Sequence, residues 1–383
     1  MNYIKALAII IVSIFSGCDV TDYNPANDIT SIYLFDSYIR PENLSNLLTN
    51  KLVKYTVPIQ MFIEDEEYKG SIEAQGSASR YLPKWSFEIK FDNGKIMNLD
   101  NFNLSAQVGD QSMLRTILAS YVYKEMGFEV FDSDFAFLKI NGKNKGLYYI
   151  IERIEKDFFK RRSIPVYEVI KTLFDAKFTF NNGNNIYELF EKEINDDENL
   201  YNFENFIHTL DTVKSENILT ELGKLLDIDS YLKYHAASTV IAAKDGFRNN
   251  IKFYKRTQED PYETLPWDFD GSFNPTFTEI FYGANEIINK LLSNDSCFAL
   301  YEFYYTYCIE NIFTESTLFP IVDETVKRIR TGYELDPYLG EAGYNLDNEA
   351  DKLKNFISER RQILINSMIS PKFPNQVRDR LSP

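Results

Sequence analysis

The chain has 383 residues, of which 44% are hydrophobic and 26% charged, which excludes a disordered protein and leaves room for one large or two smaller domains. A formal net charge of -16 with a pI near 4.8 excludes a surface made for nucleic acid or anionic lipid, so any basic cluster becomes informative. The 2 histidines, His208 and His235, stand apart from each other and from the 3 cysteines, which argues against a zinc site or a Ser-His-Asp triad. His235, inside an apolar stretch, reads as a core residue.

Residues 1–17 carry one lysine, an apolar run over 6–15 too short to span a bilayer comfortably, and small residues before Cys18. This resembles a bacterial lipoprotein signal. It implies cleavage before Cys18, acylation of Cys18, a polar tether over 18–28, and a membrane-anchored place in the cell envelope. A plain signal peptide or an uncleaved anchor would also export the protein.

An amino-terminal β-rich lobe is expected over 29–162. Residues 28–35, 54–64 and 68–75 alternate as strands, with a short helix or turn over 42–50. Residues 76–91, GSASRYLPKWSFEIKF, combine a small-residue loop with Arg80 and Lys84 and end in a strand that also carries Lys90. In so acidic a chain this is a candidate phosphate-binding end of a nucleotide pocket, although an ordinary basic hairpin has the same composition. A helix follows over 112–126, capped by Asp110 or Ser112 and ended by Gly127. Residues 134–154 read as a hairpin turned at Asn141-Gly142. It places Glu152 at the end of an apolar strand, where a carboxylate needs a function or a partner such as Arg153 or Lys156.

The region 163–370 reads as a mainly helical lobe. Residues 163–185 look irregular, and helices are predicted over 186–192, 201–212, 217–226 and 230–244, the last capped by Asp227 or Asp229. That helix leads into DGFRNN (245–250), an alternating strand (251–256), a turn, and LPWDFDG (265–271). Alternation would place Asp268 and Asp270 on one face, where two carboxylates repel unless a cation lies between them or one protonates. Asp245, an amide five residues later and this acidic pair suggest phosphoryl transfer around Mg²⁺. Helices are expected over 284–292, 298–313, 315–331 and 348–368, with 336–345 as a loop over the cleft, Arg360 and Arg361 in a surface charge cluster, and a tail over 371–383. Cys297 and Cys308, about 16 Å apart if on one helix, are expected to be buried thiols rather than a disulfide.

The motifs GSASRYLPKWSFEIKF, Leu114-Arg115, FLKINGKNKGLYYIIERIEKDFFKRR, DGFRNNIKFYKR, LPWDFDGSF and FISERRQIL, in this order over roughly 30–370, resemble the CotH kinase family of atypical protein kinases. The resemblance implies an α+β, reduced kinase-like two-lobe fold, with a mainly antiparallel β amino-terminal lobe, that uses ATP and Mg²⁺ or Mn²⁺ to phosphorylate protein Ser or Thr hydroxyls. It implies that Asp245 is the base and that Asn250, or else Asn249, joins Asp268 and Asp270 on metal. Arg80 with Lys84 or Lys90 would hold phosphates, and Glu152 would orient the lysine. One departure is Gly-Ser-Phe-Asn-Pro after Asp270, where many relatives end in Phe-Gly. The competing reading is a non-catalytic surface adhesin or carbohydrate-associated module on the same fold. A glycosidase is disfavoured because Asp268 and Asp270 lie two apart rather than across a sugar cleft.

Overall fold

The computed structural model describes residues 32–49, 53–64, 66–76, 78–180, 183–195, 199–281 and 285–369. The expected signal, Cys18, the tether and the tail lie outside them. The architecture is α+β, with strands concentrated in the first 152 residues and helices dominating the rest.

Seven strands close a barrel: β1 (Tyr33–Tyr38), β2 (Thr56–Ile63), β3 (Glu66–Gln75), β4 (Ser86–Phe91), β5 (Asn101–Ser105), β6 (Ser133–Ile140) and β7 (Lys143–Glu152). The order is β1-β2-β3-β4-β5-β7-β6, antiparallel throughout except where β1 meets β6 in parallel, Phe35 opposite Leu138. Period-two alternation fills the interior: Ile72 pairs with Ile89, and Ile89 with Phe102, all turned inward and buried. The strand β5 carries little pattern in its sequence, NFNLS, and joins the barrel because Phe102 and Leu104 complete this core.

A helix α1 (Pro41–Thr49) lies between β1 and β2, and α2 (Arg115–Glu125) between β5 and β6. The latter begins three residues later than predicted. Asp110 accepts the N–H groups of Ser112, Leu114 and Arg115 at 2.9–3.0 Å, so the turn before the helix, with Met113 at a positive φ, is part of the cap. Although inserted in the barrel sequence, α2 buries Leu118, Ala119 and Val122 in the second, larger core.

That second core is built around a four-stranded sheet, β11-β10-β8-β9, formed by β8 (Glu168–Thr172), β9 (Phe190–Ile194), β10 (Ile251–Lys255) and β11 (Glu263–Pro266). Two of these strands lie where the sequence predicts irregular chain or helix: only Ile186–Leu189 is helical in the 186–192 stretch. Around the sheet pack α3 (Lys156–Arg161), α4 (Ile186–Leu189), α5 (Tyr201–Thr212), α6 (Ile218–Glu221), α7 (Ile228–Val240), α8 (Glu286–Leu291), α9 (Asp295–Tyr307), α10 (Glu315–Glu334) and α11 (Leu346–Ile369). Cys297 and Cys308 are buried free thiols, as expected; α9 ends in a wide π-type turn beginning at Cys308. His235 is buried among Tyr231, Phe247 and Tyr301.

Candidate active site

The helix α7 starts where the Asp227 carboxylate accepts the N–H of Ser230 and ends at Val240, four residues before the predicted end. Its apolar continuation does not stay helical because Ala242 takes a positive φ and turns the chain toward Asp245. The last carbonyls of α7 are capped from a distance. Arg360 is buried, not part of a surface cluster, and donates to Thr239 O at 2.6 Å, Val240 O at 3.0 Å, Glu279 O at 2.7 Å and Phe277 O at 3.3 Å. A guanidinium at a helix carboxyl end satisfies both the open carbonyls and the dipole. The following turn is held from inside. Tyr234 donates its hydroxyl to Gly246 O at 2.6 Å, and the buried Asn285 donates its amide to Phe247 O at 2.8 Å. Asp245 closes the turn itself, its main-chain oxygen accepting from Asn250 N at 3.0 Å.

The two candidate amides separate at this point. Asn249 is used by the loop: its Oδ1 accepts from Asp175 N at 2.6 Å, and its Nδ2 approaches Asp245 Oδ1 at 3.4 Å. The Asn250 side chain has no such partner among the described residues and lines a small cleft shared with Asp245, Asp268, Trp267 and Gly271. Arg248 forms a two-pronged pair with Glu286, 2.8 and 3.0 Å.

The predicted strand alternation through Asp268 and Asp270 is not what brings them together. Asp268 sits at φ 58° and Phe269–Gly271 is one turn of 3₁₀ helix. The buried ring of Phe269 stacks between Tyr123, 5.0 Å away, and Phe131, 4.9 Å away, and so anchors the turn in the core. Asp268 and Asp270 are thereby thrown toward Asp245, whose carboxylate lies so close to Gly271 that a Cβ there would come within 2.9 Å of its Oδ2. Asp268 occupies a concave mouth: solvent reaches it, yet protein surrounds it closely enough to raise its pKa, first by desolvation and then by Asp245, with Lys171 and Lys252 opposing. Asp270 is pushed up to about 8 by desolvation and then by Asp268, Asp110 and Asp245, against Arg115. No three His, Cys, Asp or Glu side chains form a ready chelate among the described residues. The all-oxygen set of Asn250, Asp268 and Asp270 nevertheless suits a hard divalent cation, and a cation among them would relieve the repulsion that raises both acids.

The expected cationic wall requires correction. Lys84 does not meet Glu152: its buried ammonium donates to Leu147 O at 2.5 Å and Asp336 Oδ2 at 2.7 Å and lies 4.6 Å over the Tyr148 ring. Lys90 is exposed on the outside of the barrel. The segment 336–345 is anchored on the barrel through Asp336 and contributes nothing to the lining of the acidic cleft. Arg80 is buried with its Nε and Nη1 lacking partners, and it does not line the acidic cleft. The cations whose field reaches Asp268 come from the second sheet, Lys171 on β8 and Lys252 on β10, both beside Trp267. Lys252 is legible in the alternating strand 251–256. Lys171 is hidden in the stretch that reads as irregular, and Asp110 and Arg115 are hidden in a helix cap.

Glu152 is also not on the rim. It accepts from Arg162 through both oxygens at 2.8 and 2.9 Å, from Asp132 N at 2.8 Å, and from Arg161. Burial raises its pKa, but the hydrogen bonds from Arg162, Asp132 and Arg161 outweigh that and leave it below the ordinary value. A depressed carboxylate contributes stability above its unfolded pKa of about 4.3 and loses it as pH falls through the native pKa. Glu152→Gln will therefore lower the melting temperature at pH 7 and flatten the acid limb below about pH 4.3, as read by thermal denaturation across pH.

Residues 68–364 match the family described as CotH kinase protein, and the chain belongs to that family. The inner spore coat protein H of Bacillus subtilis (strain 168) is 24% identical over 352 residues, covering 88% of this chain and 97% of that protein. Among solved structures, the Helicobacter pylori proinflammatory kinase CtkA aligns with 82% of this chain and 95% of its own at 13% identity and a TM-score of 0.32. The golgi casein kinase aligns with 87% of this chain and 77% of its own at 10% identity and a TM-score of 0.31.

Proposed function

We propose that the chain is an atypical protein kinase that transfers the γ-phosphoryl group of ATP to protein Ser or Thr hydroxyls. The observation that carries this is the convergence of Asp245, Asn250 and Asp268 on one cleft, with Asp270 close enough to feel the charges of Asp268 and Asp245, in a member of the CotH kinase family. In this reading Asp245, held rigidly by its own turn, accepts the proton of the acceptor hydroxyl. Asn250, Asp268 and Asp270 would hold Mg²⁺ or Mn²⁺, with phosphate oxygens completing the coordination. The cation, when bound, neutralises charge developing on the transferred group. Arg80, whose buried nitrogens lack partners, would hold the phosphates in this reading only if nucleotide binding uncovers them.

We further propose that Cys18 carries lipid and tethers the domain to a membrane of the bacterial cell envelope, where its protein substrates would be found. The support is the order of charge, apolar run and small residues before that cysteine.

The test is metal dependence. The full-length chain with labelled ATP and Mn²⁺ or Mg²⁺ will transfer label to itself or to an added acceptor protein, and EDTA will abolish the transfer. Asp270→Asn will shift the metal titration to higher concentration by removing one ligand charge. Absence of nucleotide binding at millimolar ATP by calorimetry would favour the non-catalytic surface module instead.

A further inference from the structure

Two lysines face one another across the second sheet. Lys252 on β10 is registered directly opposite Lys171 on β8. Like charges in opposed positions of an antiparallel pair are unfavourable unless an anion lies between them. Here the anion is Glu193 of β9, whose carboxylate pairs with Lys252 and lies 3.4 Å from the Lys171 ammonium. Glu191, mostly exposed, reaches Lys171 only at 4.0 Å. Lys252 is almost fully buried, whereas Glu193 keeps a solvent-facing side. Both ammoniums lie over the ring of Trp267, at 4.4 Å for Lys252 and 5.3 Å for Lys171. Trp267 also lines the cleft with Asp245, Asn250 and Asp268, and its buried indole N–H lacks a partner.

We propose that Lys171 and Lys252 form the seat for the phosphates of a nucleoside triphosphate beside Asp268, and that Glu193 holds that seat as an internal carboxylate which the phosphates displace. The inference rests on the phosphotransferase reading above and deepens it. It moves the phosphate-binding lysines from the barrel, where Lys84 is sequestered by Asp336, to the sheet whose β10 directly follows Asn250 and whose β11 leads into Asp268. Two point charges fixed by one accessible carboxylate suit a phosphate, which brings more negative charge and more acceptor oxygens than Glu193. Exchanging one anion for another leaves Lys252 paired throughout, so no buried charge is stranded. The free indole N–H of Trp267 is a further donor on the same wall.

The experiment is calorimetric titration of Mn·ATP, with Mn·AMP as control, into the full-length parent chain and its Lys252→Met and Glu193→Gln variants, each checked for parent-like circular dichroism. Lys252→Met will weaken Mn·ATP about tenfold or more and leave Mn·AMP nearly unchanged. Glu193→Gln, a change at a partly exposed position, will tighten Mn·ATP about threefold or more. The opposite signs keep the outcome readable even where Lys252→Met folds poorly. Parent-like ATP affinity in folded Lys252→Met, or weaker affinity in Glu193→Gln, overturns the proposal while leaving the kinase reading intact. A parent chain that binds no Mn·ATP overturns the kinase reading and this proposal together.

Discussion

Asp245→Asn will lower the rate of phosphoryl transfer by about 10³-fold while leaving affinity for Mn·ATP close to that of the parent. The substitution keeps the shape of the side chain and leaves the main-chain oxygen free to accept from Asn249 and Asn250, so the turn persists. What it removes is the basic oxygen. A companion variant isolates position from basicity. Gly271→Ala leaves the Asp245 carboxylate in place chemically, but its Cβ would stand within 2.9 Å of Oδ2, closer than packed atoms allow. The carboxylate must move, and a displacement approaching 1 Å at a reacting group costs up to about 100-fold. The check is single-turnover transfer of labelled phosphate alongside nucleotide titration. Rates in both variants within about threefold of the parent would remove Asp245 from the chemistry.

The order of those two losses depends on features of unequal legibility in the sequence. The acids themselves were legible, because carboxylates at the ends of apolar segments and beside glycine are costly to place without a purpose. The strands of the barrel with clean alternation were legible for the same kind of reason: Trp85, Phe87, Ile89 and Phe91 leave one arrangement of faces. The partners were not. Asp336 lies far along the chain from Lys84, and Arg360 from the end of α7, and no local pattern announces a contact over such separations. The strands β8 and β9 were missed because EVIKT and FEKEI mix charges into short segments whose partners are distant in sequence. With them went Lys171 and Glu193. Pleat alternation predicts Asp268 and Asp270 on one side, but a left-handed residue and a buried phenylalanine are what turn them toward Asp245.

Lys84 is where sequence pattern and structure differ most in consequence. A lysine in a basic loop next to a small-residue turn reads as a phosphate ligand, yet its ammonium is enclosed with an acid that has no exposed surface. Asp336 Oδ2 accepts from Lys84 Nζ and from Leu147 N, each at 2.7 Å, and Oδ1 accepts from Tyr338 N at 2.7 Å. Gly146, at φ 105°, leaves room for that carboxylate, and any side chain there would overlap it. The pair therefore fastens the segment after α10 to the barrel at β7. Lys84→Met removes one partner and leaves a buried carboxylate with two neutral donors, at a cost of about 3–5 kcal/mol. The melting temperature should fall by roughly 4–7 °C. Asp336→Asn will also lower it, because the buried Lys84 loses its counter-charge and the amide nitrogen in place of Oδ1 cannot accept from Tyr338 N. The double variant will fall by less than the sum of the two, since neither charge is then stranded. Below the transition, folded Lys84→Met will bind Mn·ATP within about twofold of the parent, since its ammonium faces Asp336 and not the acidic cleft. A tenfold loss of nucleotide affinity in folded protein would return Lys84 to the phosphate site and show that the clasp with Asp336 opens when nucleotide binds.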